Sequence, residues 1–549
     1  MKIVLIFIFS FFACVSTYLH DLLSLVDLPA DIYAIHLNSN HRLKEKLCAE
    51  LTSTQLNLSD ERRAQICETV EKSEKKCWGY EGSAVNCSND EIYSLPECPE
   101  DSNGWAPNKV EQRRVFFNQA DFGYIRERRK ELRSFCTPRS KDASSLHCTQ
   151  YLRFCKATNM LIDFNRLKIN ESMRYKEDVV EKGAFCGRNC DLNEHLLQSQ
   201  SAHKSALQSW FNEISNYKNC DETIKCDIRI TKPTFIVKLD ATVNMYHHFC
   251  DFVNLYLSQH LNGSFSLDNN ILLWDIYPYR SIFGQTWKAF TKNALLNLSQ
   301  FRGKRVCFDD LVFPLLPRMI FGLYYNMPLI PGCLKSGVFR AFNRHVLHKL
   351  KIKQEFTPDN YAAGDNAKLV RITFITRDTQ YRRVLNEEQL INALRRKSKQ
   401  LRVRKVNYNH QMPFEEQLQI TQNSDILIGM HGAGLTHCLF QPDWASLFEL
   451  YNCDDANCYK DLARLRGLQY ITWSDKRKLY PEDQGQHPQM GAHEKFTNYK
   501  FDESEFVKLT MIAVRHVRQQ RKQYFERLIK SVKSSETTKQ KSESGKEEL

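Results

Sequence analysis

The sequence predicts an α/β protein with a parallel, Rossmann-like sheet in its C-terminal half and a disulfide-rich N-terminal region. Strand-like and helix-like segments alternate regularly between residues 367 and 503, which is typical of a parallel sheet. A shorter strand–helix–strand pattern lies within residues 233–356. Twelve of the 19 cysteines lie between Cys48 and Cys226. We therefore expect short helices and disulfide-linked loops over residues 17–232.

The first residues have the pattern of a secretory signal peptide. Met1 and Lys2 precede an apolar run over residues 3–15, and the small residue Ser16 follows. A helix needs about 20 apolar residues to span a bilayer, so this run is too short. We expect residues 1–16 to be removed, with an uncleaved anchor as the alternative. No later segment has the length and apolarity of a span, so no membrane span is expected.

The C-terminal tetrapeptide resembles the Lys-Asp-Glu-Leu signal that is read by the retrieval receptor of the endoplasmic reticulum. A helix is expected over residues 504–532, and the polar segment 533–549 is expected to be disordered. Together with a signal peptide, the tetrapeptide predicts residence in the lumen of the endoplasmic reticulum. Its residues are Lys546, Glu547, Glu548 and Leu549.

Cysteine usage agrees with an oxidising compartment. Removal of Cys14 with the signal peptide leaves 18 of the 19 cysteines, an even number, and their density predicts disulfide bonds. A zinc site would need two sets of closely spaced cysteines, and the closest pair, Cys186-x3-Cys190, stands alone. Sequons for N-glycosylation occur at Asn57, Asn86, Asn170, Asn262 and Asn297.

The composition is that of a globular protein of two or three domains. The chain has 549 residues, of which 42% are hydrophobic, and a formal net charge of +13. The positive charge is scattered, and no recognised nucleic-acid-binding motif is present. We therefore expect no nucleic-acid partner, and interpret the charge as a basic surface with a site that attracts nucleotide diphosphates.

Two segments predict sheet-containing parts, separated by a polar linker at residues 357–366. In the segment 233–356, a strand is expected at Thr234–Val237, a helix at 244–261 and a strand at 271–274. In the segment 367–503, helices are expected at 386–397, opened by an Asn cap, at 413–421 and directly after a glycine loop. Strands are expected there at 369–376, 401–407, 424–429 and 447–450.

The strongest functional pattern is a buried strand that leads into this glycine loop. Glycine lets the backbone approach a ligand closely, and a helix N-terminus offers unpaired amide groups to a diphosphate. The pattern differs from Gly-x-Gly-x-x-Gly and contains no Walker lysine, so neither a dinucleotide site nor a P-loop is expected. A purely structural turn is the alternative. The candidate diphosphate-binding residues are His431, Gly432, Ala433, Gly434, Leu435 and Thr436.

Charged residues follow two other strands of the predicted C-terminal sheet. Arg377 comes directly after the strand 369–376, and Arg382 and Arg383 follow it closely. Guanidinium groups at the carboxyl end of a parallel strand can bind a diphosphate and stabilise its charge as it leaves. Glu449 ends a later strand and is a candidate for holding ribose hydroxyls. The alternatives are surface arginines, above all for Arg383, and an ordinary exposed carboxylate.

A resemblance to a known family is carried by five segments: 244–256, 430–437, 442–444, 448–453 and 495–499. Together they resemble glycosyltransferase family 61, and the resemblance extends over about residues 40–510. It implies an inverting transfer of N-acetylglucosamine (GlcNAc) from UDP-GlcNAc to Ser or Thr of folded EGF-like domains. The acceptors would include Notch-type receptors and extracellular matrix proteins. The resemblance also implies a GT-B-like fold with two Rossmann-like domains, in which the C-terminal domain binds the donor.

Inversion requires a base that takes the proton of the acceptor hydroxyl. In the pattern Asn244-x2-His247-x3-Asp251, the histidine and the aspartate share one helix face because they are four residues apart. The resemblance implies that Asp251 or His247 is the base or its orienting partner, and the sequence does not choose between them. A polar pair that only supports packing is the alternative, and His248 is expected in the core or behind the site. The resemblance implies acceptor-side positions for Asn244, Thr497, Asn498 and Tyr499.

The sequence departs from this family at one place that concerns metal binding. Relatives carry an acidic tripeptide shortly after a Trp-Lys-Ala-Phe-Thr segment, whereas here residues 287–291 are followed by Lys292, Asn293 and Ala294. A lysine cannot bind a metal ion as a carboxylate would. We therefore predict no metal-ligating residues and no obligatory cofactor, and leave dependence on a divalent ion open.

Three alternatives to this function remain at the level of the sequence. The first is a transferase of the same family that uses another UDP-sugar, such as UDP-xylose, or acts on O-mannosyl glycans. The second is a catalytically inactive lectin or chaperone of the lumen that retained the fold. A secreted cysteine-rich structural protein is the third, and nothing in such a protein requires a nucleotide-binding type of sheet.

Overall fold

The computed structural model describes residues 106–544 except 166, 168–178, 203–204, 222, 320–321, 323, 325–329, 362–365, 488 and 490, with residues 94, 96–99 and a few positions between 48 and 67. The predicted signal peptide and the C-terminal tetrapeptide therefore lie outside the described residues. The chain divides into two compact units, Met1–Leu350 (unit 1) and Lys351–Leu549 (unit 2). In the described part of the chain, no helix is long and apolar enough to cross a membrane.

Unit 1 is built on an 11-stranded sheet. Its strands are β1 (Arg133–Pro138), β2 (Ser145–Cys148), β3 (Cys155–Asp163), β4 (Phe185–Gly187), β5 (Cys190–Leu192), β6 (Lys218–Asn219), β7 (Ile228–Ile230), β8 (Thr234–Val237), β9 (Asn270–Leu273), β10 (Leu296–Asn297) and β11 (Arg305–Phe313). The α-helices that the structure describes here are α1 (Lys109–Ala120), α2 (Phe122–Lys130), α3 (Glu194–Gln198), α4 (Phe211–Ile214), α5 (Met245–Asn262) and α6 (Gly337–Lys349).

The sheet of unit 1 is parallel on one side and antiparallel on the other. The strand order is β10-β9-β8-β11-β3-β2-β1-β5, with β4, β6 and β7 attached beside this path. Neighbours from β10 to β11 are parallel, and neighbours from β11 to β5 are antiparallel. Among the described residues of this unit there are five disulfide bonds, as the cysteine density predicts: Cys98–Cys333, Cys136–Cys190, Cys148–Cys155, Cys186–Cys220 and Cys226–Cys307.

Helix α5 follows β8 and is almost completely buried. Asn244 caps its N-terminus, because the Asn244 side chain accepts a hydrogen bond from the backbone N–H of Tyr246 at 3.0 Å. Gly263 ends the helix with a φ of 78°, a left-handed conformation that favours glycine. The predicted strand Thr234–Val237 is confirmed, and the predicted helix 244–261 is found one residue further along the chain.

Unit 2 is built on a five-stranded parallel sheet, as the alternation of strands and helices predicts. The strands of unit 2 are β12 (Val370–Ile375), β13 (Leu401–Val406), β14 (Ile426–Gly429), β15 (Ser446–Glu449), β16 (Gln469–Thr472), β17 (Leu479–Pro481), β18 (Gln486–His487), β19 (Gly491–Ala492) and β20 (Tyr499–Phe501). Its α-helices are α7 (Pro358–Tyr361), α8 (Glu387–Lys397), α9 (Phe414–Gln422), α10 (Cys458–Arg466) and α11 (Glu503–Ser544).

The long helix α11 packs along the core of unit 2 through Phe506, Val514 and Val517. A buried ion pair adds to this contact, because a guanidinium nitrogen of Arg521 lies 3.0 Å from a carboxylate oxygen of Asp425, at the start of β14. Both side chains are completely buried. The packing and the ion pair together attach the C-terminal helix to the central strand of the parallel sheet.

The prediction of helices and loops for residues 17–232 is wrong for its second half, which contributes strands β1 to β7 to the sheet of unit 1. Apart from the nine-residue β3, these strands have two to six residues, which is too short for a clear apolar pattern. The predicted linker 357–366 also differs, because Tyr361 stacks on Phe525 inside unit 2 at a ring-centroid distance of 4.4 Å. The division between the units falls earlier, after Leu350.

Three details of the predicted helices need correction. Helix α11 extends through the segment 533–544, which was expected to be disordered. This segment contains neither Gly nor Pro, the two residues that are least favourable in a helix. The Asn386 side chain does not cap helix α8 and instead bonds the backbone of Phe501. The helix after the glycine loop is a 3₁₀-helix, Ala433–Phe440.

Candidate active site

The strand order of unit 2 creates a crevice at one edge of its sheet. The order β13-β12-β14-β15-β16 means that the chain runs outward in opposite directions from β12 and from β14. Ligands of open parallel sheets bind at the carboxyl ends of the strands at such a switch point. Arg377 follows β12, and the loop that contains His431 and Gly432 follows β14. The predicted diphosphate-binding segments therefore meet at this place.

Two arginines converge on the backbone of the glycine loop. Nη1 of Arg377 lies 3.4 Å from the carbonyl oxygen of His431, and Nη1 of Arg382 lies 3.1 Å from the same oxygen. Among the described residues, neither guanidinium forms an ion pair with a carboxylate. Burial, with Arg382 nearby, lowers the pKa of Arg377 to about 10. Two adjacent cations that share one carbonyl oxygen form a site suited to an anion.

Gly432 is the residue that allows this approach. Its φ is 151°, a conformation that residues with a side chain rarely adopt, and a Cβ atom there would lie 2.2 Å from Nη1 of Arg377. The absence of a side chain therefore lets the guanidinium lie directly against the loop. Gly434 is different, because the nearest atom to its Cβ position is 3.7 Å away, an ordinary contact. Ala433, Leu435 and Thr436 continue into the 3₁₀-helix, where Leu435 and Thr436 are buried.

Glu449 ends strand β15 and contacts two side chains, those of His431 and Tyr470. Its carboxylate is completely buried and lies 2.8 Å from Nδ1 of His431, and it also accepts a hydrogen bond from the Tyr470 hydroxyl. Asp455 lies 3.6 Å from Nε2 of the same histidine. These contacts make Glu449 a support for His431, and its role in holding ribose hydroxyls stays a prediction.

The segment 497–499 forms hydrogen bonds with the backbone of Arg382 and Arg383. The backbone N–H of Arg382 donates to the carbonyl oxygen of Thr497 at 2.8 Å, and that of Arg383 donates to the side-chain oxygen of Asn498 at 2.8 Å. Arg382 has a φ of 61°, which is uncommon for a residue other than glycine. The backbone N–H of Tyr499 donates to the carbonyl oxygen of Arg383. The acceptor-side role of this segment stays a prediction.

In unit 1, Asp251 is enclosed in the core rather than exposed at a surface. Its side chain is completely buried, and one carboxylate oxygen lies 2.8 Å from Nδ1 of His248, which is buried as well. The other oxygen accepts a hydrogen bond from the backbone N–H of Asp240 at 3.1 Å. The second ring nitrogen of His248 lies 2.6 Å from the Tyr279 hydroxyl, and burial raises the pKa of Tyr279 to about 12.

His247 belongs to a different group, which is partly exposed. Its Nδ1 lies 3.0 Å from Oδ2 of Asp240, and 24% of its side chain is exposed. Arg318 donates from two nitrogens to the two oxygens of Asp240, at 2.8 and 3.0 Å. His247 and Asp251 are thus near each other along helix α5 but bond different partners.

Sequence reasoning missed Asp240 and Arg318. Asp240 follows strand β8 and Arg318 follows strand β11, and these two parallel strands are neighbours. The signal for Asp240 was available, because a carboxylate just beyond a buried parallel strand is a candidate for a site. Arg318 had no such signal, since the sequence analysis did not predict the strand before it.

The other predicted positions stand as follows. Within the described residues, no group of three or more His, Cys, Asp or Glu side chains is arranged to hold a metal ion. Lys292 lies 3.5 Å from a carboxylate oxygen of Asp268.

The sequon residues Asn262 and Asn297 are half-buried, at the end of α5 and in β10. The sequons at Asn57, Asn86 and Asn170 and the retrieval residues 546–549 lie outside the described residues.

The chain is similar to known glycosyltransferases along most of its length. The model of the glycosyltransferase 61 family matches residues 245–448, which include His247, Asp251, both arginines and the glycine loop. A relative from Gallus gallus, an "EGF domain-specific O-linked N-acetylglucosamine transferase", is 51% identical over 82% of this chain and 83% of its own length. Relatives of the same name are 49% identical in Rattus norvegicus, over 82% of this chain and 84% of theirs, and 47% identical in Drosophila melanogaster, over 89% and 90%.

Proposed function

Because the chain belongs to glycosyltransferase family 61, we propose that it transfers N-acetylglucosamine from UDP-GlcNAc to Ser or Thr hydroxyl groups of folded EGF-like domains. The observation that carries this proposal is the sustained identity with the EGF domain-specific transferases along most of both chains. The acceptors are EGF-like domains of secreted and membrane proteins, such as Notch-type receptors and extracellular matrix proteins. The transfer proceeds with inversion at the sugar C1, on a fold of the GT-B type.

The glycine loop and the two arginines of unit 2 bind the diphosphate of the donor. When the bond between the sugar C1 and the diphosphate breaks, negative charge develops on the departing UDP. Arg377 and Arg382 supply two positive charges against this group, and the amide groups at the start of the 3₁₀-helix add donors. These residues provide charge stabilisation from the protein itself. Glu449 supports this site by holding His431.

The acceptor hydroxyl must lose its proton as its oxygen attacks the sugar C1. Two carboxylate–imidazole pairs on or beside helix α5 are candidates for this step, Asp251 with His248 and Asp240 with His247. Asn244 supports the helix by capping its first turn. The segment 497–499 supports the loop that carries Arg382.

The protein acts in the lumen of the endoplasmic reticulum. Five disulfide bonds in unit 1 support an oxidising compartment of the secretory pathway. The sequence of residues 546–549 resembles the tetrapeptide that the retrieval receptor reads there, which supports this compartment.

The test is transfer from a panel of UDP-sugars to a folded EGF-like domain, followed by mass spectrometry of the acceptor, with and without EDTA. We expect a gain of one N-acetylhexosamine from UDP-GlcNAc and none from UDP-xylose or UDP-glucose. In Arg377→Ala we expect the transfer rate to fall about 10²–10³-fold, because one charged donor to the leaving group is lost. Arg402→Ala, which removes an exposed arginine from β13, is the matched control.

Each outcome of this assay distinguishes one alternative. Transfer from a different donor identifies a family member with another sugar specificity. UDP binding without transfer from any donor would contradict the enzyme and leave a lumenal lectin or chaperone. A rate for Arg377→Ala equal to that of Arg402→Ala would remove Arg377 from the donor site while leaving the reaction itself intact.

A further inference from the structure

We propose that His247 is the base that takes the acceptor proton, that Asp240 positions it, and that Asp251 only supports the two from within the core. This inference rests on the proposed function, because it assigns the proton step of that reaction. It assigns roles to Asp240 and Arg318, which the sequence analysis did not name, and it separates the role of His247 from that of Asp251.

Burial decides against Asp251 as the group that contacts the acceptor. The side chains of Asp251 and His248 are both fully buried, and both nitrogens of the His248 ring have partners, Asp251 and the Tyr279 hydroxyl. The Asp251 carboxylate also bonds the backbone N–H of Asp240. The hydroxyl of a protein acceptor can reach Asp251 only if these buried hydrogen bonds break. Each broken bond would leave a buried polar group unsatisfied.

Geometry favours His247. The neutral imidazole has one N–H and one lone pair, and its hydrogen bonds decide which nitrogen carries the proton. The Asp240 carboxylate only accepts hydrogen bonds, so it holds the proton on Nδ1 of His247 at a distance of 3.0 Å. The lone pair is then on Nε2, in a side chain that is 24% exposed. His247 is thus oriented by a carboxylate and partly exposed.

Arg318 fixes the carboxylate that orients the histidine. It donates to both oxygens of Asp240, whose side chain is almost completely buried, and 35% of its own side chain is exposed. The pair is fixed in place because β8 and β11 are adjacent parallel strands whose carboxyl ends lie at the same edge of the sheet. The N-terminus of α5, which carries His247, follows from β8 at this edge.

The step is balanced in atoms and electrons. The acceptor oxygen forms a bond to the sugar C1 while its proton moves to Nε2 of His247, and the bond from C1 to the diphosphate oxygen breaks, with its electron pair leaving on UDP. The imidazolium ion that forms is stabilised by Asp240 through Nδ1. It returns its proton to solvent after the products leave.

The experiment measures kcat and KM for transfer to a folded EGF-like domain in His247→Ala, Asp240→Asn and Tyr279→Phe, with Tm for each. For His247→Ala we expect kcat to fall about 10²–10⁴-fold, with KM for UDP-GlcNAc unchanged and partial rescue by added imidazole. For Asp240→Asn we expect kcat to fall about 10²-fold or more, again without a change in donor KM. Tyr279→Phe breaks the bond to His248 and is expected to lower Tm and leave kcat within about twofold.

Several results would overturn the assignment. If His247→Ala keeps wild-type kcat, His247 is not the base. If imidazole does not restore the activity that His247→Ala loses, and Asp251→Asn loses kcat at wild-type Tm, the base is Asp251. If Asp240→Asn changes Tm alone, Asp240 has a structural role only. Because wild-type transfer is measured beside each variant, a wild-type protein that transfers nothing contradicts the proposed function. An active wild type with an equally active His247→Ala contradicts only this inference.

Discussion

In unit 1 the sheet is mixed and cross-linked, whereas in unit 2 the sheet is parallel and its core is held by buried contacts. The five disulfide bonds that the structure shows all lie in unit 1, and three of them join strands or segments at the antiparallel side of its sheet. In unit 2 the central strands β14 and β15 are fully buried, and Arg521 reaches into the same core.

The difference shows two ways of stabilising sheets of unequal regularity. Strands of two or three residues, such as β4 and β6, bury little apolar surface. The disulfide between Cys186 in β4 and Cys220, directly after β6, links them covalently. The continuous apolar strands of unit 2 bury enough surface without such links. The three changes below test this comparison, in order of decreasing expected effect.

The largest effect on stability is expected from Arg521→Met in unit 2. This change removes the nearer of two arginines at the fully buried Asp425 carboxylate and leaves Arg371 at 3.4 Å. Breaking one side of a buried pair costs about 3–5 kcal/mol of unfolding free energy, and we expect a loss near the lower end of this range because Arg371 remains. Urea denaturation followed by tryptophan fluorescence measures the change. Arg515→Met, at an exposed position of the same helix, is the control. Equal losses in both variants would show that the ion pair does not hold helix α11.

A smaller loss, confined to unit 1, is expected when Cys136 and Cys190 are both replaced by Ser. This disulfide joins β1 to β5 and closes 54 residues of chain, so its loss lowers the unfolding free energy by about 2–4 kcal/mol. UDP binding by unit 2, measured by calorimetry, should not change. Dithiothreitol should destabilise the wild type more than this variant. Loss of UDP binding would show that unit 2 also depends on this disulfide, which would contradict the comparison between the two units.

The smallest effect is expected from Gly432→Ala in the glycine loop. The new Cβ would displace the guanidinium of Arg377, and we expect KM for UDP-GlcNAc to rise about tenfold. Because alanine is strained at a φ of 151°, we also expect the unfolding free energy to fall by about 1 kcal/mol, which is less than in the two changes above. Gly434→Ala introduces only an ordinary contact with Ile375, so its effect on KM should be clearly smaller. Equal effects of the two variants would contradict the role of Gly432 in bringing Arg377 against the loop.

Much of the parallel sheet could be predicted from the sequence, and so could part of the candidate site. Strands β8, β12 and β14 have apolar runs that identify them locally, and Arg377 after β12 and Gly432 after β14 mark a site. The short strands of unit 1 carry no such pattern, because pairing and disulfide bonds rather than local apolarity determine them. Asn386 was predicted as a helix cap from its position alone, but its side chain bonds Phe501, which is distant in sequence.

By itself the sequence determined the family, the parallel sheet of unit 2, the use of disulfide bonds and the candidate residues His247, Asp251 and Arg377. These follow from patterns and motifs whose residues are close together in the sequence. Only the tertiary structure decided which partner each side chain has. It paired His247 with Asp240 and enclosed Asp251 with His248, because hydrogen bonds depend on which strand ends and helices meet in space. Two residues four positions apart on one helix can therefore have different chemical roles.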